Sequence, residues 1–132
     1  MISAVMLAQR LYEAFARFDA PALLELLSND FVGIVSDGMP HGVGGTHHGP
    51  RDMVAHVWGR IATLYDIRLE PLEFLAVDDE RVVVIGRYLG TARDRRSSVD
   101  AAFAHVITIK DGRISALQQI TDTRAWERPP AV

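Results

Sequence analysis

The chain has 132 residues, no cysteine and a formal net charge of −3, with 48% hydrophobic and 23% charged residues. This length and composition predict one soluble domain, 1–132, and the lack of cysteine excludes disulfides and thiolate chemistry. The acidic balance argues against nucleic-acid binding, and no apolar run approaches the roughly 20 residues of a membrane helix. We expect a cytoplasmic protein with neither nucleic acid nor membrane as partner.

Helical periodicity dominates the first half of the chain. Apolar residues recur at three- and four-residue spacing over 4–18, behind Ser3 as the predicted N-cap. Asp19 is expected to cap a short second helix, which leads into a short strand. Residues 37–49 contain five of the ten glycines and predict a loop. Pro50 is expected to open a third helix.

Strand patterns dominate the second half. The predicted strands are 67–77, bent or bulged at Pro71, then 81–93, 99–110 and 113–123, the last two joined by an Asp-Gly hairpin turn. Helices followed by a long antiparallel meander predict an α+β fold, in which a curved antiparallel sheet wraps around three helices.

A carboxylate interrupts an apolar row on the last predicted strand. By strict alternation, Asp122 and Gln118 share a face with Ile114, Ala116 and Ile120. A carboxylate on a core-facing row is costly unless it is paired or lies in a cavity. Burial in a cavity raises the pKa of a carboxyl and suits it to proton transfer. The alternative is that Asp122 reaches solvent or caps the segment that follows the strand.

The neighbouring strands carry two further polar residues in apolar rows. Arg87 lies among aliphatic side chains, where it would pair with Asp122, hold an anionic substrate, or extend to solvent at the sheet edge. His105 belongs to a row of bulky residues, where a core or interface role and a catalytic role are both open. The small side chains of Ala102 and Ala104 predict the concave, ligand-facing surface, and the bulky row predicts the convex one.

Several other groups are candidates for binding. The histidines of the glycine loop, together with Asp37, suggest a metal site, but no recognised ligand spacing is present, so we expect neither metal nor cofactor. Tyr12, Trp58, Tyr65 and Tyr88 are candidates for pocket lining, with core packing as the alternative. Both faces of the sheet are largely apolar and the helices can cover only one, which predicts a homodimer through the other.

The order of short motifs along the chain resembles the NTF2-like superfamily, specifically its SnoaL-like branch of polyketide cyclase and ketosteroid isomerase relatives. The motifs are Leu-Tyr-Glu-Ala-Phe at 11–15, Phe-Val at 31–32, Asp-Gly-Met-Pro at 37–40, Gly-Arg-Tyr-Leu-Gly-Thr at 86–91, Phe-Ala-His-Val at 103–106, Asp-Gly-Arg-Ile at 111–114 and Thr-Asp-Thr at 121–123. The resemblance implies a cone-shaped, cystatin-like α+β fold with a deep apolar pocket and a dimer formed through the sheet. This fold hosts many functions, so it does not fix a reaction.

The resemblance carries over to individual residues only in part. Asp37 falls about where ketosteroid isomerases have their base, but Leu11 and Ala104 occupy the positions of the oxyanion-hole tyrosine and carboxylic acid. A steroid isomerase is therefore not expected. Asp122 and Arg87 match two members of the epoxide-hydrolase triad.

The third member of that triad is missing, because Leu89 stands where the second aspartate should be. A SnoaL-type cyclisation or isomerisation fits most residues, by cofactor-independent general acid–base chemistry beside a carbonyl. Asp122 is then the base and Arg87 its partner. The alternative is a non-catalytic module that binds a small hydrophobic or polycyclic ligand or only dimerises. The remaining candidates are His105 and Asp37 for catalysis and Trp58, Tyr88, Gln118 and Tyr12 for substrate binding.

Overall fold

The computed structural model describes residues 2–129 and contains three helices and a six-stranded sheet. The helices are α1 (Ala4–Arg17), α2 (Ala20–Leu26) and α3 (50–64). The strands are β1 (Leu27–Val35), β2 (Gly45–His48), β3 (Tyr65–Ala76), β4 (Arg81–Ala92), β5 (Ser98–Lys110) and β6 (Arg113–Thr121), and a 3₁₀ turn, Thr123–Trp126, follows. The predicted α+β fold is confirmed.

The sheet is open, with strand order β2-β1-β6-β5-β4-β3. All neighbouring strands pair antiparallel except β1 and β6, which pair parallel. The register of β3 against β4 shifts between Pro71 and Glu73, which confirms the predicted irregularity at Pro71 as a bulge in the pairing. Within residues 2–129, no helix is long and apolar enough to cross a membrane.

The two predicted helix caps are confirmed by hydrogen bonds. The side chain of Ser3 accepts from the Met6 amide at 3.1 Å, and Asp19 accepts from the Ala22 amide at 3.1 Å. Each bond satisfies a backbone N–H that has no partner inside its helix. The predicted loop 37–49 is not wholly irregular, because its last part forms β2 and pairs with β1.

The third helix changes its winding along its length. It begins with an α-helical turn at Pro50–Asp52, widens to a π-helix over Met53–Trp58 and ends as an α-helix over Gly59–Leu64. A π-helical stretch is rare and is found mostly near functional sites. Here three of its residues, Met53, Val57 and Trp58, line a cavity between the helices and the sheet.

The inner face of the sheet carries the bulky side chains. Phe103, His105 and Ile107 are buried beneath the helices, whereas Ala102 and Ala104 point to the opposite side. The expectation that the small row forms the concave, ligand-facing surface is therefore wrong. Large side chains are needed to fill the space between a sheet and the helices packed on it, and small ones suffice on the outer face.

A bulge in β6 reverses the expected facing of its second half. Thr108 pairs with Ala116 but Ile109 pairs with Ile114, so Ser115 is an extra residue in the ladder. One inserted residue moves every following side chain to the other face.

As a result Leu117 and Gln119 point inward, whereas Gln118 and Ile120 are exposed. The expectation that Gln118 lines a pocket is wrong for this reason.

Candidate active site

A cavity of about 280 Å³ lies between the helices and the inner face of the sheet. Its wall is mostly apolar and aromatic, which suits a small hydrophobic ligand. The lining side chains that are buried or half-buried are Phe15, Val35, Met39, Val43, Met53, Val57, Trp58, Ile61, Ala62, Tyr65, Ile67, Leu69, Tyr88, His105, Leu117, Gln119 and Trp126. Four exposed residues, Ala16, Arg17, Phe18 and Arg93, complete the lining and mark its mouth.

A hydrogen-bonded chain of four polar side chains lies at one wall of this cavity, and three of them, His105, Tyr88 and Gln119, line it. The Tyr12 hydroxyl lies 2.7 Å from His105 Nδ1, and the Tyr88 hydroxyl lies 2.7 Å from His105 Nε2. Gln119 Nε2 donates to the Tyr88 hydroxyl oxygen at 3.0 Å. Tyr12, Tyr88 and His105 are 6%, 5% and 3% exposed, so the cluster is almost completely desolvated.

Burial keeps these groups neutral. It lowers the pKa of His105 from 6.5 to about 3, so the imidazole is uncharged at neutral pH. Burial also raises the pKa of both Tyr12 and Tyr88, and the neighbouring Tyr88 raises that of Tyr12 further. The cluster therefore offers neutral hydrogen-bonding groups, not a charge.

Hydrogen-bond accounting assigns the single proton of the neutral imidazole. Among residues 2–129, the only acceptor within reach of the buried Tyr12 hydroxyl is His105 Nδ1. A proton on Nδ1 would leave the Tyr12 hydroxyl hydrogen unpaired, at the cost of a buried unsatisfied donor. We therefore place the proton on Nε2, which donates to the Tyr88 oxygen.

This arrangement leaves the Tyr88 hydroxyl hydrogen for the cavity. The Tyr88 oxygen already receives two hydrogen bonds, from His105 Nε2 and from Gln119. Tyr88 lines the cavity, whereas Tyr12 does not. The site thus presents one oriented O–H donor to whatever occupies the apolar space.

The glycine-rich loop forms another part of the cavity wall. Met39 and Val43, 6% and 2% exposed, point into the lining. His41 Nε2 lies 2.9 Å from the hydroxyl of Tyr65, which joins this loop to the start of β3. His47 contacts the Val43 carbonyl at 2.7 Å, so its ring holds the loop's own backbone.

The proposed base and its partner lie outside the cavity. Asp122 is exposed at the N-terminus of the 3₁₀ turn, beyond the bulge that reverses β6. Arg87 is on the outer face of β4 and pairs there with Asp100, with its Nε 2.8 Å from Oδ1. Asp37 is exposed in the turn after β1. The expectation that these side chains share an apolar cavity is wrong.

Four of the sequence candidates do line the cavity: His105, Tyr88, Trp58 and Tyr65. Tyr12 lies behind His105 and contacts the site through it. Gln119 was missed, because strict alternation assigns it to the outer face and only the bulge at Ser115 turns it inward. The row of bulky residues on β5 could have revealed Gln119. That row marks the inner face of the sheet, and the residues of β6 that pair with it lie on the same face.

Comparison with known proteins assigns the family. The model of the SnoaL-like domain matches residues 8–117. No curated protein matches the sequence. An NTF2-like protein of unknown function from Burkholderia pseudomallei is 33% identical, with 96% of this chain and 98% of that chain covered at a TM-score of 0.84.

Two further solved structures are similar. An NTF2-like protein from Burkholderia thailandensis is 25% identical, with 95% of each chain covered and a TM-score of 0.86. TerC, co-crystallised with polyporic acid, is 27% identical, with 90% of this chain and 91% of that chain covered and a TM-score of 0.79. Because the family model spans most of its length, this chain belongs to the SnoaL-like domain family, within the NTF2-like superfamily.

Proposed function

We propose that this protein binds a small aromatic or polycyclic molecule in its cavity, with an acceptor oxygen of the ligand at the Tyr88 hydroxyl. The observation that carries this proposal is the hydrogen-bond chain from Tyr12 through His105 to Tyr88, which orients one donor toward an apolar space. An oriented donor in an apolar pocket selects for a carbonyl or similar acceptor among otherwise hydrophobic ligands.

The lining supports binding over carboxylate catalysis. No aspartate or glutamate from residues 2–129 is among the residues that line the cavity. His105 is a neutral group with both ring nitrogens engaged, and burial raises the pKa of Tyr88. These groups hydrogen-bond a ligand well at neutral pH but exchange protons with it poorly. TerC, a relative of the same fold, was co-crystallised with polyporic acid, which agrees with a ligand site in this fold.

A matched pair of ligands tests the proposal. 2-Acetylnaphthalene carries a carbonyl where 2-isopropenylnaphthalene carries a methylene group of nearly the same shape. One hydrogen bond contributes about 0.5–1.5 kcal/mol, so the ketone should bind about two- to tenfold more tightly. Affinity is measured by calorimetry. Tryptophan fluorescence reports the location, because both tryptophans of the chain, Trp58 and Trp126, line the cavity.

Variants assign the preference to one hydroxyl. Tyr88→Phe should remove the preference for the ketone, whereas Tyr65→Phe should keep it, although Tyr65 also lines the cavity. Equal affinity for the two ligands in the unmodified protein would contradict the proposal without any variant. The proposal would also be contradicted if Tyr88→Phe, shown to be folded by circular dichroism, still bound the ketone more tightly.

Carbonyl chemistry is a second candidate function, favoured by the two hydrogen bonds that the Tyr88 oxygen receives. Those bonds strengthen its O–H as a donor to an oxygen that gains negative charge when a proton leaves the neighbouring carbon. The cavity lining supplies no carboxylate base, so water or a group of the substrate would accept that proton. Exchange of the methyl protons of 2-acetylnaphthalene in D₂O, followed by NMR, should be faster with protein than with buffer. A rate equal to that in buffer would contradict this candidate.

We also propose that the outer face of the sheet forms a homodimer. Ile34 and Ile120 on this face are 43% and 50% exposed, and the small side chain of Ala104 on β5 lies opposite Ile120. An uncovered apolar sheet face of this kind is suited to pairing with an identical face. Sedimentation equilibrium should report a dimer, and Ile120→Glu should yield a monomer. A monomeric unmodified protein would contradict this proposal.

A further inference from the structure

The mouth of the cavity is positively charged. Of the four exposed lining residues, two are arginines: Arg17 in the last turn of α1 and Arg93 in the turn after β4. The buried part of the lining is neutral, so these two guanidinium groups are the charged side chains of the lining. Their arrangement gives the cavity a cationic outer end and a neutral inner end at Tyr88.

Arg93 is held in place while most of its donors stay available. Its Nε and one Nη donate to the Ala62 carbonyl, both at 3.1 Å, and its backbone amide donates to the Leu64 carbonyl at 2.9 Å. A guanidinium has five N–H groups, so three remain for a ligand. Its stem is fixed at the end of α3, which reduces the entropy lost when it binds an anion.

Neither arginine forms a salt bridge with a carboxylate of residues 2–129. Asp19, two residues after Arg17, and Asp94, next to Arg93, are the nearest acidic residues in sequence, and neither lines the cavity. By contrast Arg87, on the outer face, is paired with Asp100. Burial raises the pKa of Tyr65, and Glu127 and Asp94 raise it further, so these two carboxylates also lie near the cavity. Neither pairs with Arg17 or Arg93, and both guanidinium groups are available to an external anion.

We propose that the ligand is an amphipathic anion: an aromatic or polycyclic body with an acceptor oxygen at the Tyr88 end and a carboxylate or an acidic enolate at the mouth. This inference rests on the proposed function, since it adds a second recognition point to the same ligand. The two arginines select for charge at the mouth, and Tyr88 selects for an acceptor inside. A planar carboxylate matches the geometry of a guanidinium donor pair.

A pair of probes that differ only in charge tests this inference. 6-Acetyl-2-naphthoate and 6-acetyl-2-naphthamide share the ketone and the rings, but only the first is an anion at neutral pH. Exposed ion pairs are weak, so the carboxylate should bind about three- to tenfold more tightly than the amide at low salt. In 1 M NaCl the Debye length falls to about 3 Å and the preference should drop below about twofold.

Charge variants locate the preference. Arg17→Gln and Arg93→Gln should each reduce the ratio of the two affinities, and Arg93→Lys should restore most of it by returning the charge. Arg51→Gln removes one charge from an exposed arginine outside the lining and should leave the ratio unchanged. Calorimetry supplies the affinities, and circular dichroism confirms that each variant is folded.

The outcomes separate this inference from the function on which it rests. If both probes bind with equal affinity and the amide loses affinity in Tyr88→Phe, the ligand class proposed here is wrong and the proposed function stands. A carboxylate preference that survives both Arg17→Gln and Arg93→Gln would also overturn the inference. If neither probe binds, both the inference and the proposed function are contradicted.

Discussion

Removal of the Tyr12 hydroxyl should destabilise the fold, although that hydroxyl touches no ligand. In Tyr12→Phe, His105 Nδ1 loses its partner at 2.7 Å, and the ring is only 3% exposed, so water cannot replace the bond. A buried polar atom left without a partner costs about 1–3 kcal/mol. With a urea m-value of about 2 kcal/mol per molar, a loss of about 2 kcal/mol lowers the unfolding midpoint by about 1 M.

A second tyrosine–histidine pair provides the control. Tyr65 is 3% exposed and its hydroxyl lies 2.9 Å from His41 Nε2, so the bond itself resembles that of Tyr12. His41, however, is exposed, and water can take the place of the lost hydroxyl. Tyr65→Phe should therefore cost less than about 1 kcal/mol. Equal costs for Tyr12→Phe and Tyr65→Phe would refute the argument that burial of the histidine decides the penalty.

Three further predictions follow from the same structure. Because burial lowers the pKa of His105 from 6.5 to about 3, the unfolded chain binds the extra proton between these values. The free energy of unfolding should then rise by up to about 1.4 kcal/mol per pH unit between pH 3 and pH 6.5. Urea titrations at several pH values measure this slope, which should be smaller in His105→Gln. Gly86→Ala should cost about 1–3 kcal/mol in a urea titration, because the added Cβ would lie 2.6 Å from Phe103 Cζ; a cost near zero would contradict this. Asp122→Asn and Arg87→Gln should each change the affinity for 2-acetylnaphthalene, measured by calorimetry, by less than twofold, because both residues lie outside the cavity. A tenfold loss of affinity in either variant would show that the substituted residue belongs to the site.

The fold was predictable because its signals are local and repeated. The caps at Ser3 and Asp19, the helical opening at Pro50 and the bend at Pro71 are each set by the chemistry of one or two residues. β2 was missed because its four residues follow a run of glycines and gain strand character only by pairing with β1.

The site was only partly predictable, because its polar residues depend on register. His105 was found from its position in an apolar row, and Tyr88 was found as an aromatic residue that carries a hydroxyl. Asp122 was misplaced and Gln119 missed for one reason: the bulge at Ser115 shifts the alternation of β6 by one residue. Bulges are set by pairing with neighbouring strands, so a single strand's pattern does not contain them.

The exposed ion pair between Arg87 and Asp100 could not be predicted from the pattern of a single strand either. Arg87 meets Asp100, which lies on β5 diagonally across the ladder from it. A pattern along β4 shows that a charge interrupts an aliphatic row. It does not show which face of the sheet the helices cover, because that depends on how side-chain volume is divided between the two faces.

The protonation of His105 is the central claim of this account, because it decides whether the Tyr88 hydroxyl is available to a ligand. A long-range ¹H–¹⁵N NMR spectrum of the histidine rings at pH 5, assigned with His105→Gln, measures it directly. The account predicts that His105 is neutral at this pH, with its proton on Nε2. A neutral ring with its proton on Nδ1 would contradict the account, because the Tyr88 hydroxyl would then donate to Nε2 and the cavity would offer a ligand no donor there. A charged ring would contradict the neutral state that burial imposes on His105.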